Sequence, residues 1–351
     1  MLRALELQNI RSYKNGLFEF ADGVNIIVGP NASGKTNLLE AIYMVCRGGG
    51  FRGSDANIIM NEQSWGRIDA SVGDGTRVVK IVSEPASKTF IIDDVERKRL
   101  SDDTLRAVVL FEPGHMLLLA GEPERRRTYV DDILTQVEPG FRSALRSYKR
   151  ALAQRNRLLK QEVLNPEHMF VWDLRVGELA GELVDYRVKY IDRINKNLSV
   201  DYRSISGGQE ELDVFYDSKL PLDGYTEALL KKLKDSFELD RLRGYTGSGP
   251  HRDDIGVTLN GHEARSSASR GETRSIILAL KIAELNIVKE KSHKPPLLLL
   301  DDVFSELDGK RRRMLAQALK DTQAFITTTD ADAIIKSFMS DYNVITTRAS
   351  G

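Results

Sequence analysis

Two short segments carry residue types suited to phosphate chemistry: GPNASGKT at 29–36 and Asp301-Asp302, which closes the apolar run LLLL. The first matches G-x-x-x-x-G-K-[ST] at every fixed position, follows a strand pattern (VNIIV, 24–28) and opens a helix pattern. Gly29 and Gly34 permit a tight turn and close backbone approach. Pro30, Asn31, Ala32 and Ser33 complete the loop. Its N–H groups, with those of the helix start through Asn37, are expected to surround phosphates. Lys35 is placed to bridge the outer phosphates, and the Thr36 hydroxyl to bind Mg²⁺. Asp301, at a strand end, is expected to hold the same Mg²⁺ through water, with Asp302 near an attacking water. Two adjacent acids also suit a helix cap.

A second candidate lies far downstream, in SASRGETRSIILALKI (267–282). Ser269, Arg270 and Gly271 open an apolar-striped helix, a geometry that offers backbone N–H groups to a phosphate. Ser269-x-x-Glu272 is equally a capping box, so a purely structural role stands beside the binding role.

A third constellation is basic. FRSALRSYKRALAQRNRLLK (141–160) holds Arg142, Arg146, Lys149, Arg150, Arg155, Arg157 and Lys160 with no acid, and Arg125-Arg126-Arg127 precedes it. Arg125, Arg126, Arg142, Arg146, Lys149, Arg150 and Arg157 are the candidate DNA-phosphate contacts; a solvated helix face is the competing reading. Phosphate contacts would give salt-sensitive, sequence-independent binding. The rest of the chain does not add to that field. Lys+Arg and Asp+Glu both total 51 in 351 residues. Arg47 and Arg52 flank a glycine run beside the phosphate loop, where DNA, nucleotide or solvent are all plausible neighbours.

These segments need elements to hold them. Residues 4–28 and 66–100 read as strands, with hairpin signals at IIDDVERK and at Asn260-Gly261. VNIIV, VVLF (108–111), LLLL (297–300) and AFITTT (324–329) are short apolar runs suited to buried strands. From about 122 to 240 the pattern is helical and charged. Phe141, Leu145, Tyr148, Leu152 and Leu159 form one heptad-like stripe; Trp172, Val176, Leu179, Leu183, Tyr186 and Tyr190 form another. Asn165-Pro166 breaks the chain between them. The expected fold is α/β: a discontinuous α/β lobe of 1–121 and 241–351, with an all-helical lobe, 122–240, inserted and carrying a short antiparallel helical hairpin.

Composition narrows the class. With 41% hydrophobic residues the chain can bury a large core. A single cysteine, Cys46, excludes an intramolecular disulfide and a cysteine zinc cluster. The start, MLRALELQNI, lacks a signal-peptide core, and no apolar run is long enough to span a bilayer. The expectation is a soluble, cytoplasmic protein without a membrane role.

The order of phosphate loop, long insertion, Ser-Arg-Gly turn with helix, apolar strand with Asp-Asp, then Ser-Glu-Leu-Asp resembles that of ATP-binding-cassette ATPases. LQNIRSY (7–13), GPNASGKTNLLEAIY (29–43), FEPGHMLLLAGEPERRRTYVDD (111–132), QRNRLLK (154–160), YTGSGPHRDD (245–254) and the two downstream motifs resemble the RecF family across essentially the whole chain. The phosphate loop is generic; its combination with GPHRDD and QRNRLLK is far more specific.

The resemblance implies a cassette-type head that binds ATP with Mg²⁺ and dimerises around two nucleotides. Ser269, Arg270 and Gly271 would contact the γ-phosphate held by the other subunit, and Thr329 would sit at the switch position. It implies slow, DNA-stimulated hydrolysis, binding to gapped or junction DNA, and assistance to RecA loading with RecO and RecR. Three positions depart from related patterns. Glu272 stands where glutamine is common, Asp302 where transporter-type cassettes place glutamate, and Thr329 where they place histidine. No glutamine follows strand 108–111, and Glu112 is a weak substitute for that metal contact. His251 and Arg252 resemble family residues to which the residues alone give no role. A transporter ATPase subunit, a small-molecule P-loop kinase or hydrolase, and an ATP-binding scaffold without DNA contact are the alternative readings.

Overall fold

The computed structural model describes residues 1–53, 55–73, 75–163, 165–292, 294–335 and 342–347. The chain forms two compact units, Met1–His115 with Val288–Gly351, and Met116–Ile287. Sequence texture alone puts the boundaries at 121/122 and 240/241 instead. Residues 241–287 group with the insert because the strand Asp254–Leu259 pairs along its whole length with Leu212–Asp217.

The first unit contains two sheets. One is a parallel sheet of five strands in the order Tyr342–Thr346, Val24–Val28, Ala324–Thr328, Leu297–Asp301, Val108–Phe111. Its three inner strands bury nearly every residue, as the unalternating apolar runs require. The other is antiparallel and six-stranded, from Tyr13–Glu19 through Leu2–Ile10 and Trp65–Val72 to Val95–Arg97. The IIDDVERK hairpin belongs to it, with Asp93 and Asp94 both at positive φ in the two-residue turn. The helix Lys35–Arg47 buries Leu38, Leu39, Ile42, Met44 and Val45 in a core shared with both sheets. Gln323 joins the sheets by bonding the backbone N–H and C=O of Leu2 and the Ala21 carbonyl.

The second unit carries the helical hairpin. Phe141–Leu159 packs against a longer helix, Pro166–Ser206, of 41 residues. Asn165 caps the latter, accepting from the N–H groups of Glu167 and His168, and Pro166 occupies its first turn. The buried stripe of the first helix is Phe141, Ala144, Tyr148, Ala151, Arg155 and Leu159, so Leu145 and Leu152 turn partly outward. The insert is not all-helical. Leu212–Asp217 is a strand whose Leu212, Val214 and Tyr216 are buried while the alternate residues face outward. A period-two segment of six residues is too short to stand out from the charged helical texture around it. The hairpin at Asn260-Gly261 is present, with φ of 52° and 75°. Among the described residues no helix is long and apolar enough to cross a membrane.

Candidate nucleotide and nucleic-acid sites

Parallel pairing sets the register Val28 with Thr328, Asp301 with Thr327, and Leu300 with Phe111. Every chain segment leaving those strands therefore emerges at one carboxyl edge, the usual place for a ligand in such sheets. The phosphate loop, Asp301-Asp302, Glu112 and Thr329 meet there from widely separated parts of the sequence.

The loop is tightly built. Ala32 and Gly34 take left-handed φ values of 64° and 92°. A Cβ on Gly29 would run into Ser33 Oγ and Thr347 Oγ1, so only glycine fits. Gly34 is equally confined, by Ser12 Oγ and Tyr13 OH at 2.7 Å each. The NIRSY segment thus forms one wall of the loop, a position that no local pattern in the sequence signals. Asn37 reinforces it by donating to Ser12 Oγ at 2.9 Å. Burial pushes the Tyr13 phenol up to about 12, so it stays protonated. Lys35 is buried and donates Nζ to the carbonyls of Gly29 (2.8 Å) and Pro30 (2.9 Å).

Thr36 Oγ1 donates to Asp301 Oδ1 at 2.8 Å, and Thr327 Oγ1 donates to the same oxygen at 2.9 Å. Arg52 Nη2 donates to Asp301 Oδ2 at 2.7 Å, with Nε 3.7 Å from Glu112 Oε2. Asp301 is 2% exposed, so its carboxylate needs a cation beside it. A hydroxyl and a buried carboxylate in contact are hard oxygen donors of the kind Mg²⁺ shares with nucleotide phosphates. Among the described residues there is no group of three or more His, Cys, Asp or Glu able to hold a metal. A metal at Thr36 and Asp301 would take its remaining ligands from nucleotide and water.

Asp302 sits at φ 55° and donates its N–H to Thr327 Oγ1; its Oδ1 is buried without a hydrogen-bond partner among the described residues. Thr329 lies just past the strand end and is exposed. Arg52, Thr327, Ser12 and Tyr13 are the site residues that sequence reasoning misses or leaves open. Arg52 is signalled by its place in the glycine-rich loop, and Ser12 and Tyr13 by LQNIRSY, a segment that carries the family resemblance without assigning them a role. Glu40, 1% exposed, fixes that loop by accepting from Arg52 N–H and from Arg11 Nε.

In the second unit the Ser269 turn forms the full capping box. Ser269 N–H donates to Glu272 Oε2 at 2.7 Å, and Glu272 N–H donates to Ser269 Oγ at 3.3 Å. The side-chain and backbone hydrogen bonds from Ser269 hold the Glu272 carboxyl below its ordinary value. Ser269 and Arg270 are exposed at the start of the helix Arg270–Lys291, and Gly271 is half-buried.

The basic run divides into two populations. Arg142, Arg146, Lys149 and Arg150, with Leu145 and Ala153, line an open groove of about 420 Å³ on the outward face of the arm's first helix. Arg157 is exposed further along that helix, and Arg125 is exposed on the preceding one. Arg126 is different and does not fit a DNA contact. It is 7% exposed, forms a bidentate pair with Asp254, and caps the carbonyls of Leu118, Leu119 and Gly121. Arg155 is likewise internal. It donates to Asp173 at 2.6 Å, Asp240 at 2.9 Å and Thr246 Oγ1 at 2.8 Å, while Asn156 accepts from Thr246 N–H and Oγ1.

GPHRDD is also structural. His251 bonds Tyr148 OH through Nδ1 at 2.7 Å and lies 3.0 Å from the Thr246 carbonyl through Nε2; burial above all drives its pKa down to about 4. Asp253 accepts from Tyr216 OH, Tyr225 OH and Ser218 Oγ. Arg187 donates to both Asp131 oxygens and to the Pro250 carbonyl. These bonds weld the loop to both arm helices and to the small sheet. They account for His251, to which the sequence assigns no role.

The model of the RecF/RecN/SMC N terminal domain family matches residues 1–350. The chain is 36% identical to the DNA replication and repair protein RecF of Symbiobacterium thermophilum, covering 99% of this chain and 96% of that one. It is also 36% identical to RecF of Heliobacterium modesticaldum, covering 95% and 93%. A solved structure of the recombination mediator protein RecF-ATPrS in the RecFOR pathway superposes with a TM-score of 0.86 at 28% identity, covering 95% of this chain and 94% of that one. An Smc head bound to the C-winged helix domain of ScpA shares the fold, with a TM-score of 0.56 at 16% identity, covering 96% and 91%.

Proposed function

The chain belongs to the RecF family of DNA replication and repair proteins, within the broader RecF/RecN/SMC group, and from that membership we propose that it is an ATP-dependent DNA-binding protein of recombinational repair and replication-fork maintenance. The observation that carries the reading is the convergence of Lys35, Thr36 and Asp301 at one sheet edge, with Asp302 beside them.

In this reading the loop N–H groups and Lys35 bind the phosphates of ATP, Lys35 exchanging the carbonyls of Gly29 and Pro30 for phosphate oxygens. Bound Mg²⁺, held by Thr36 and Asp301, would neutralise charge developing on the phosphates. Asp302 orients the attacking water, with Thr329 at the edge of the same site. The shorter side chain of aspartate, and the absence of an imidazole there, favour slow turnover. Such slow hydrolysis suits a clamp that acts through its ATP-bound state.

Ser269, Arg270 and Gly271 open a helix, where backbone donors and dipole favour an anion. In this reading they take the ATP of a second copy, giving a homodimer around two nucleotides. The groove cations Arg142, Arg146, Lys149 and Arg150, with Arg125 and Arg157, take DNA phosphates. Gapped or junction DNA is the proposed target, with no base-reading code. Assistance to RecA loading with RecO- and RecR-type partners, in the cytoplasm, completes the proposal.

Solution mass by light scattering tests it, without nucleotide and with Mg-ATP, for wild type and Ser269→Arg, each with and without gapped DNA. Doubling of wild-type mass with ATP, absent in the variant, supports the trans role. A wild type that binds ATP yet stays monomeric even on DNA overturns it, and Ser269 is then a helix cap alone.

A further inference from the structure

The amino edge of the parallel sheet, opposite the phosphate loop, holds a second concentration of positive charge. An open pocket of about 360 Å³ is lined there by Thr76, Arg77, Asp93, Arg106, Lys294 and Pro295, among others. Arg106 lies just before the strand Val108–Phe111, and Pro295 just before Leu297–Asp301, whose first residues pair. The pocket is therefore separated from the nucleotide edge by the length of those strands.

The side chains are not in a state that the protein alone satisfies. Arg106 is only 5% exposed, and its Nε has no hydrogen-bond partner among the described residues. Burial lowers its pKa, and the neighbouring Arg77 charge acts in the same direction. Arg77 spends one donor on the Val45 carbonyl at the end of the phosphate-loop helix. Among the described residues Asp93 is the one acid lining the pocket, and its Oδ1 is committed to the Thr76 N–H. Asp74, between the lining residues Gly73 and Gly75, lies outside the described residues.

A buried guanidinium with an idle donor is costly unless a ligand supplies the missing acceptor. Arginine presents planar, paired donors that match an oxyanion. Among the described lining residues Arg77, Arg106 and Lys294 outnumber Asp93, which favours an anionic ligand. We propose that this pocket is an oxyanion site for a phosphate monoester group, held by Arg106 and Arg77 with Lys294 at its mouth, independent of the nucleotide site.

Isothermal titration of inorganic phosphate into the Lys35→Ala protein, at low ionic strength, reduces the phosphate loop's share of the binding heat. The tightest binding event that remains is expected to weaken roughly tenfold or more in Lys35→Ala/Lys294→Gln and Lys35→Ala/Arg106→Gln, and to recover in part with Arg106→Lys. Lys294 is exposed, so its substitution reads binding without disturbing the fold. A parallel titration with succinate separates carboxylate from phosphate sources; equal affinity for succinate overturns the phosphate assignment. No phosphate binding in Lys35→Ala, or binding unchanged by both second substitutions, overturns the site.

Discussion

Arg52 Nη2 lies 2.7 Å from Asp301 Oδ2, and the two residues are 249 positions apart in sequence. The pair joins the glycine-rich loop after the phosphate-loop helix to the acid that ends the Leu297–Asp301 strand. It supplies the cation that a nearly fully buried carboxylate needs. Entry of Mg²⁺ beside Thr36 would exchange one cation for another at the same oxygens. A positive charge then faces the buried carboxylate in both states.

Asp301→Asn should therefore separate nucleotide binding from its metal dependence. The amide keeps the volume and accepts from Thr36 but carries no charge to share with a metal. ATP binding without Mg²⁺ is expected to persist, while the gain from adding Mg²⁺ falls by roughly ten- to a hundredfold. Titration of a fluorescent ATP analogue with and without Mg²⁺ reads the difference directly. A metal gain equal to that of wild type would remove Asp301 from the metal set.

Arg155 should behave as a core residue despite lying in a basic run. Arg155→Ala leaves Asp240, 1% exposed, without its cation, and breaks the link from the arm to Thr246. The expected cost is about 3–5 kcal/mol, read as an earlier urea midpoint. Arg155→Lys should recover little of it, because one ammonium cannot reproduce the forked bonds to Asp173 and Asp240.

Substituting Arg146 and Lys149 with alanine should do the opposite. Both are exposed and line the outer groove. Stability is expected to change by less than about 0.5 kcal/mol each. DNA affinity should fall, and the slope of log affinity against log salt should become shallower by about one for each DNA phosphate no longer neutralised. An unchanged salt slope would move the DNA surface away from this face.

His251 makes stability depend on pH. In the folded protein its pKa is about 4, against an ordinary value of 6.5, because burial disfavours the charged ring. Arg252, Arg127 and Arg187 act in the same direction. The unfolded chain thus takes up a proton that the folded chain refuses. This contribution is complete above pH 6.5 and is lost as pH falls toward 4. Between about pH 6.5 and 5 the loss should be about 1–2 kcal/mol. Denaturant midpoints of wild type and His251→Gln across that range give the difference. Parallel pH profiles would show that the ring does not titrate in this way.

The sequence alone determined the phosphate loop, the strands that lead into it, and the two-residue hairpins at Asp93-Asp94 and Asn260-Gly261. Each depends on neighbours a few positions apart: glycines at fixed spacing, unbroken apolar runs, Asp-Asp or Asn-Gly where φ must be positive. It also put Asp301 at a strand end, because the apolar run stops one residue before it. It could not distinguish Arg126 and Arg155 from Arg146 and Lys149. All four sit in arginine-rich helical segments, and the partners that bury the first two are Asp254, Asp173 and Asp240, brought in by other segments. The strand Leu212–Asp217 is hidden for the same reason, since its mate Asp254–Leu259 lies beyond two intervening helices. Local periodicity encodes which face of an element is apolar. Whether a charge can be buried depends on which opposite charge the folded chain carries to it, and only the tertiary structure decides that.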